Sequence, residues 1–256
     1  NFLQLRDDRN VIHASLNQYQ ARTGRFSSSE PNLQNLNRGT KDERYPVRRS
    51  FICHDNETNF FLDYDQFEYR MMLNKAREMP IIEQILGGLD VHTATAQMMG
   101  VPRQQAKTIN FLLLYGGGIA VLARNLFTTH LSEFTLKAIQ KYKFFKEFKW
   151  SNTAIEDTLK LDTWEVEHAV EILTKAMDLK NLYFKSLPAV KIWVSNTITA
   201  AERGYVYNDF GRAYKFNKNF AFKAPNYLIQ GGTADFLKNA MVKMDKHLLA
   251  YNSQML

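Results

Sequence analysis

Along most of the chain, apolar residues recur at three- and four-residue intervals, which predicts a helix-rich protein. Tyr64 to Glu78, Pro80 to Leu86 and Asp90 to Met99 carry this spacing, with Asp90 placed as a cap and Gly100 as a stop. Pro102 opens another helix that reaches Leu114 and ends at Gly116-Gly117-Gly118. Helical spacing continues over Ile119 to Phe127, Ser132 to Trp150, Trp164 to Phe184 and Pro188 to Gly204. Ala224 to Tyr251 is helical again, with a local break expected at Gly231-Gly232. Strand signals are few. Gly204 to Phe216 alternates about a turn at Asn208 to Gly211 and predicts a β-hairpin. Asn59-Phe-Phe-Leu-Asp63 predicts a short buried strand delivering a carboxylate at its C-terminal end. Val11 to Leu16 holds short extended pieces. Thr23 to Arg49, rich in Ser, Asn, Arg, Gly and Pro, shows no sustained period and reads as loop.

Composition narrows the class. The 256 residues suffice for one large or two smaller domains, and 45% hydrophobic with 23% charged residues is a globular balance. The formal charge of +7 favours a polyanionic partner such as nucleic acid, although many basic proteins have none. Cys53 is the only cysteine, so no internal disulfide and no cysteine metal cluster can form, and a reducing, cytoplasmic setting is expected. No apolar run reaches the length of a membrane span, so no membrane partner is expected. The first residue is Asn and the last three are Gln-Met-Leu, ends that suggest a fragment.

Chemistry concentrates on the helix after Pro102. Arg103, Lys107, Phe111 and Tyr115 recur every four residues and drift only about 40° per step, so they share one face. Two cations followed by a phenyl ring and a phenol suit a nucleotide laid lengthwise, phosphates toward Arg103 and base toward Tyr115. An amphipathic helix with a solvated basic end has the same spacing. Asp63-Tyr-Asp-Gln-Phe-Glu-Tyr-Arg70 sets carboxylates at a strand end, where a hard cation such as Mg²⁺ takes oxygen ligands; such acids also serve as caps or face solvent. Thr23-Gly-Arg-Phe-Ser-Ser-Ser-Glu-Pro-Asn-Leu-Gln-Asn35 carries side chains that contact phosphates and groove edges, or that simply tie down a loop. Asn226 and Gln230 lie four apart on one helix face beside two glycines that permit a close backbone approach, as a helix–helix contact also requires. There is no Walker-type loop and no His/Cys cluster.

The order of these blocks resembles family A DNA polymerases, the bacterial polymerase I type, from about His13 to Lys246. The block at Asp63 to Arg70 is similar to motif A, and Arg103-x-x-x-Lys-x-x-x-Phe-x-x-x-Tyr-Gly to motif B; Asp90-Val-His92, the Thr23 block and Asn226 to Asp235 fall in the family's order. The resemblance implies an α+β, helix-rich fold: a split antiparallel-sheet palm with an inserted helical fingers domain. It assigns 1–75 and 204–256 to the palm and 76–203 to the fingers. It implies template-directed addition of deoxynucleotides to a primer 3′-OH by phosphoryl transfer using two Mg²⁺ ions, with primer–template DNA and dNTP as partners and a monomeric protein. Asp63 and the Tyr64 carbonyl would hold the metals. Arg103, Lys107 and His92 would bind the triphosphate, and Lys107 is also placed to protonate the leaving group. Phe111 would pack on the sugar, Tyr115 would sit at the nascent base pair, and the helix carrying them would swing closed on dNTP. Glu68 would exclude a ribose 2′-hydroxyl, and Gln66 matches a family position in the same site. Arg25, Arg70, Asn226 and Gln230 would contact or flank the DNA.

Four departures accompany the resemblance. Asp65 stands where the family usually has Ser. Phe222 replaces a common Arg, with Lys223 beside it. His130 to Leu187 is longer than in short bacterial members and suggests a phage-like or divergent branch. The block carrying the second metal-bridging Asp would begin beyond Leu256, so the fragment alone is expected not to polymerise. The rival readings are a nucleic-acid-binding remnant without catalysis, a single-subunit RNA polymerase, against which Glu68 speaks, and a helical scaffold.

Overall fold

The computed structural model of the chain describes residues 2–36, 47–53, 57–58, 60–128, 130–146, 160–251 and 253. They form two compact units: residues 1–65, 208–212 and 230–256 in one, 66–207 and 213–229 in the other.

The larger unit is helical. Its helices are α1 (Phe67–Ala76), α2 (Met79–Leu86), α3 (Val91–Met99), α4 (Arg103–Leu114), α5 (Ile119–Leu126), α6 (Glu133–Lys146), α7 (Thr163–Ser186) and α8 (Pro188–Glu202). Several boundaries have a local cause. Asp90 accepts from the Thr93 amide at 2.9 Å and starts α3, and Gly100 at φ +65° ends it. Asp162 and Glu165 form a reciprocal capping box at α7. Past α4, Gly117 is a site where only glycine fits: a Cβ there would lie 2.6 Å from the Leu112 carbonyl oxygen. Apolar faces meet in one core, with Leu73, Ile81, Val91, Ile109, Leu122, Leu136 and Ile139 at 0% exposure. That core also seats hydrogen-bonded polar groups. The Tyr69 hydroxyl meets Thr95 Oγ1 and the Tyr183 hydroxyl, each at 3.2 Å. Buried Glu78 accepts from the Val190 amide at 3.0 Å and so satisfies one of the unpaired donors at the start of α8.

The helix predicted from Ser132 to Trp150 is observed as α6; residues 147–150 lie outside the described ones. The strands only partly coincide with those the sequence suggests. Among the described residues there are two two-stranded antiparallel sheets, β1 (Ser15–Asn17) with β2 (Ser27–Ser29), and β3 (Tyr205–Tyr207) with β4 (Ala213–Lys215). The hairpin β3–β4 is as expected, whereas β2 falls where loop was expected. Its three serines carry no apolar alternation; pairing with β1, not pattern, makes it a strand.

The strand expected at Asn59 to Asp63 is not present in residues 60–63, and Phe60, Phe61 and Leu62 stand 84%, 91% and 77% exposed. An apolar run becomes a strand only where a neighbouring strand completes its ladder, and none of the described residues does so here. The break expected at Gly231-Gly232 is also absent, because α9 runs unbroken from Ala224 to Leu248. Residues 231–234 are all buried, and packing outweighs the ~1 kcal/mol that a helical glycine costs.

Candidate nucleotide site

The site is built on α4. Its inner face is Ala106, Ile109, Asn110 and Leu114, all buried against the core. That seam turns Arg103, Lys107, Phe111 and Tyr115 outward, as the four-residue spacing predicted. Lys107 is exposed, and Phe111 and Tyr115 are each 40% exposed. The two rings stack, with centroids 6.2 Å apart and planes 13° from parallel. The His92 ring lies 5.5 Å from Phe111.

Both ends of this face are anchored from other helices. At the aromatic end, the Tyr115 hydroxyl donates to Glu68 Oε2 on α1 at 2.5 Å. At the basic end, Arg103 Nε donates to Asp90 Oδ1 at 3.0 Å. Asp90 Oδ1 also takes the Thr93 amide and hydroxyl, and Oδ2 takes Gln66 Nε2 at 2.9 Å. Partial burial would raise the Asp90 pKa, but hydrogen bonds from Arg103, Gln66 and Thr93 outweigh it and hold the carboxyl well below the usual range. Asp90 therefore ties the starts of α1, α3 and α4 together. The sequence marks it only as a cap, because a contact to Arg103 thirteen residues away leaves no periodic signal.

His92 is buried at 3% exposure. Thr95 Oγ1 donates to the Val91 carbonyl and so accepts from Asn110 Nδ2 at 3.1 Å. The same amide nitrogen meets His92 Nδ1 at 3.0 Å, which makes that nitrogen an acceptor and puts the ring proton on Nε2. Gln66, in a left-handed conformation at φ +50°, begins α1; Arg70 lies one turn further, partly buried.

The remaining candidates belong to the smaller unit or to α9. Arg25 is exposed and follows buried Gly24, which packs on the Arg212 guanidinium so closely that a Cβ would lie 2.7 Å from Arg212 Cζ. Asp235 holds that guanidinium from below, accepting from Arg212 Nε at 2.9 Å and Nη2 at 2.5 Å, and from Asn208 Nδ2 at 2.7 Å. Burial works against the Asp235 charge, yet these donors keep its pKa low. Neither this support nor Asp90's is visible in sequence spacing. Asn226 and Gln230 are one turn apart on α9, as expected.

Asp63 and Tyr64 are exposed, with the Tyr64 ring edge-on to Phe236 at 5.6 Å. Asp63 and Asp65 have the hard-oxygen chemistry Mg²⁺ prefers. The described residues contain no group of three or more His, Cys, Asp or Glu able to hold a metal, so they do not complete a two-ion centre.

The helical unit thus presents one face that runs from two cations to two stacked rings. The chain belongs to DNA polymerase family A, whose sequence pattern matches residues 2–163. It is 30% identical to the thermostable DNA polymerase I of Thermus thermophilus, over 96% of this chain and 26% of that protein. With DNA polymerase I of Pseudomonas aeruginosa the identity is 31%, over 93% of this chain and 23% of the other. The chain thus spans about a quarter of the length of the curated relatives it matches. Its fold is similar, at TM-score 0.66 and 24% identity, to a solved structure described as the POL domain of Pol1 from M. smegmatis in complex with DNA primer-template and dNTP, covering 98% of this chain and 40% of that one.

Proposed function

We propose that this chain is the nucleotide- and DNA-binding part of a DNA-directed DNA polymerase that extends a primer on a template. The observation that carries the reading is the anchored face of α4: cations at one end, stacked rings at the other, each end fixed by a carboxylate on a different helix. In this reading Arg103 and Lys107 bind the triphosphate, with His92 Nε2 as a further donor. Phe111 packs on the sugar, and Tyr115 meets the new base pair. Glu68, held by the Tyr115 hydroxyl, fills the space a ribose 2′-hydroxyl would need. Gln66 supports the basic end through Asp90. Arg25, Arg70, Asn226 and Gln230 contact or flank primer–template DNA. Asp63 and the Tyr64 carbonyl are the oxygen donors assigned to Mg²⁺. Residues 76–203 supply the fingers and 1–75 and 204–256 the palm, and the protein acts as a monomer.

The purified chain, titrated with dNTP, tests the binding claim directly. Binding is expected for the parent and loss of at least tenfold in affinity for Arg103→Ala with Lys107→Ala; a variant that binds as the parent does would sink the assignment. In the full-length protein, Asp63→Ala is expected to abolish primer extension and Glu68→Ala to raise ribonucleotide incorporation. Undiminished extension by the Asp63 variant would refute its role.

A further inference from the structure

The chain exposes aromatic rings that the nucleotide face does not use. The short 3₁₀ helix Lys218–Lys223 buries Ala221 at 1% exposure, while Phe220 and Phe222 on either side stand 52% and 50% exposed. Lys223 Nζ lies 5.0 Å from the Phe220 ring centroid and 5.8 Å from that of Phe222, so one ammonium serves both rings. The neighbouring hairpin repeats the arrangement. Its inner residues, Val206 and Tyr214, enter a small core with Ala221, Ala224 and Leu228. Its outer face shows Tyr205 at 53% exposure with Lys215 Nζ 5.6 Å from the ring, and Tyr207 at 63%. One small core is thus surrounded by half-exposed rings, three of which carry a cation.

Exposed rings alone would suit many partners, and exposed lysines alone are ordinary. Rings paired with cations match an unpaired nucleic-acid strand, whose bases stack while the ammonium groups meet its phosphates. A chain of net charge +7 favours that polyanion over a neutral apolar partner. We infer that Phe220, Phe222 and Lys223 form a stacking platform for unpaired nucleotides. The inference deepens the reading above by naming single-stranded nucleic acid as what this face takes, and it does not depend on the α4 face.

Fluorescence anisotropy of the full chain with a labelled 12-nucleotide oligo-dT, against an abasic deoxyribose-phosphate oligomer of equal length and charge, tests it. Oligo-dT is expected to bind roughly 5- to 150-fold tighter, the range for loss of one stacked base. Phe220→Ala with Phe222→Ala should remove that advantage and leave abasic binding unchanged. Phe220→Leu with Phe222→Leu keeps apolar bulk without a flat ring and serves where the alanine pair does not fold; it should lose the advantage too. Equal binding of the two oligomers, an advantage that survives both pairs of substitutions, or equal competition by poly-glutamate would overturn the platform. Arg103→Ala with Lys107→Ala should weaken oligo-dT and abasic binding alike and leave the advantage of oligo-dT unchanged. Loss of dNTP binding with oligo-dT stacking retained therefore isolates a failure on α4, and the converse isolates a failure here.

Discussion

Replacing Asp90 by Asn leaves the helix cap in place and removes only the charge. An amide oxygen in the Oδ1 position still accepts from the Thr93 amide and hydroxyl and from Arg103 Nε, now as a neutral group. The amide nitrogen then faces Gln66 Nε2, donor against donor. Gln66 must turn its own amide to offer Oε1, which is now buried without a partner, and its nitrogen inherits that unpartnered position. The Arg103 pair is half exposed and accounts for about 0.5–1 kcal/mol. Weakening the Gln66 and Thr93 bonds from charged to neutral adds about 1 kcal/mol. The expected destabilisation is thus about 1–2 kcal/mol. Asp90→Ala also loses the cap and leaves the Gln66 amide unmatched, for about 3 kcal/mol. Urea unfolding measures both. The sign with pH follows from the depressed pKa. The stabilisation is complete above the ordinary aspartate pKa near 4 and is lost as pH falls toward the lower folded-state value. The gap between parent and Asp90→Asn should therefore be constant from pH 7 to about 5 and shrink by roughly 1 kcal/mol per pH unit below about 4. No gap at pH 7, or one that widens in acid, refutes the account.

Gly24→Ala should destabilise by about 2–4 kcal/mol, since it combines a left-handed φ of +84° with a Cβ 2.7 Å from an Arg212 guanidinium that Asp235 does not release. Thermal melts of Gly24→Ala, Asp235→Asn and the double variant should show less than additive losses, because both changes free the same arginine; full additivity counts against the contact. The Tyr69 hydroxyl is pushed up to about 12, mainly by burial, and burial likewise raises Tyr183. Their neutral forms contribute stability that is intact below pH 10 and lost as pH rises through about 12. Absorbance at 295 nm should show two of the twelve tyrosines ionising only as the fold melts, and titration of all twelve near pH 10 in a folded chain contradicts this.

What the sequence made legible was what is local. The helices of the larger unit, the Asp90 cap, the Gly100 stop and the β3–β4 hairpin follow from spacing, capping and turn residues within one element. Misreadings arose where the outcome depends on a distant partner. Phe60 to Leu62 looks like a strand, but a strand is a property of two segments; Ser27 to Ser29 looks like loop and becomes a strand through its pairing with β1. Gly231 and Gly232 read as a break because propensity is local, whereas the burial that holds them helical is not.

The site divides in the same way, with a consequence for motion. The outward face of α4 was legible because four residues at one period fix a face. Its anchors were not, because Glu68 lies 47 residues from Tyr115 and Asp90 lies 13 from Arg103. Those anchors constrain how α4 can move. If α4 turned alone, it would break the Tyr115–Glu68 bond and the Arg103–Asp90 pair together. The two charge-assisted contacts are half exposed, so they are worth about 1 kcal/mol each, a barrier thermal motion crosses readily. The buried seam of Ala106, Ile109 and Leu114 against the core is the larger obstacle, since separating it exposes apolar surface at ~25 cal/mol per Å². A movement in which α1 and α3 travel with α4 keeps both anchors intact. The arrangement therefore favours movement of the three helices as one body, with Asp90 as the residue that joins their starts.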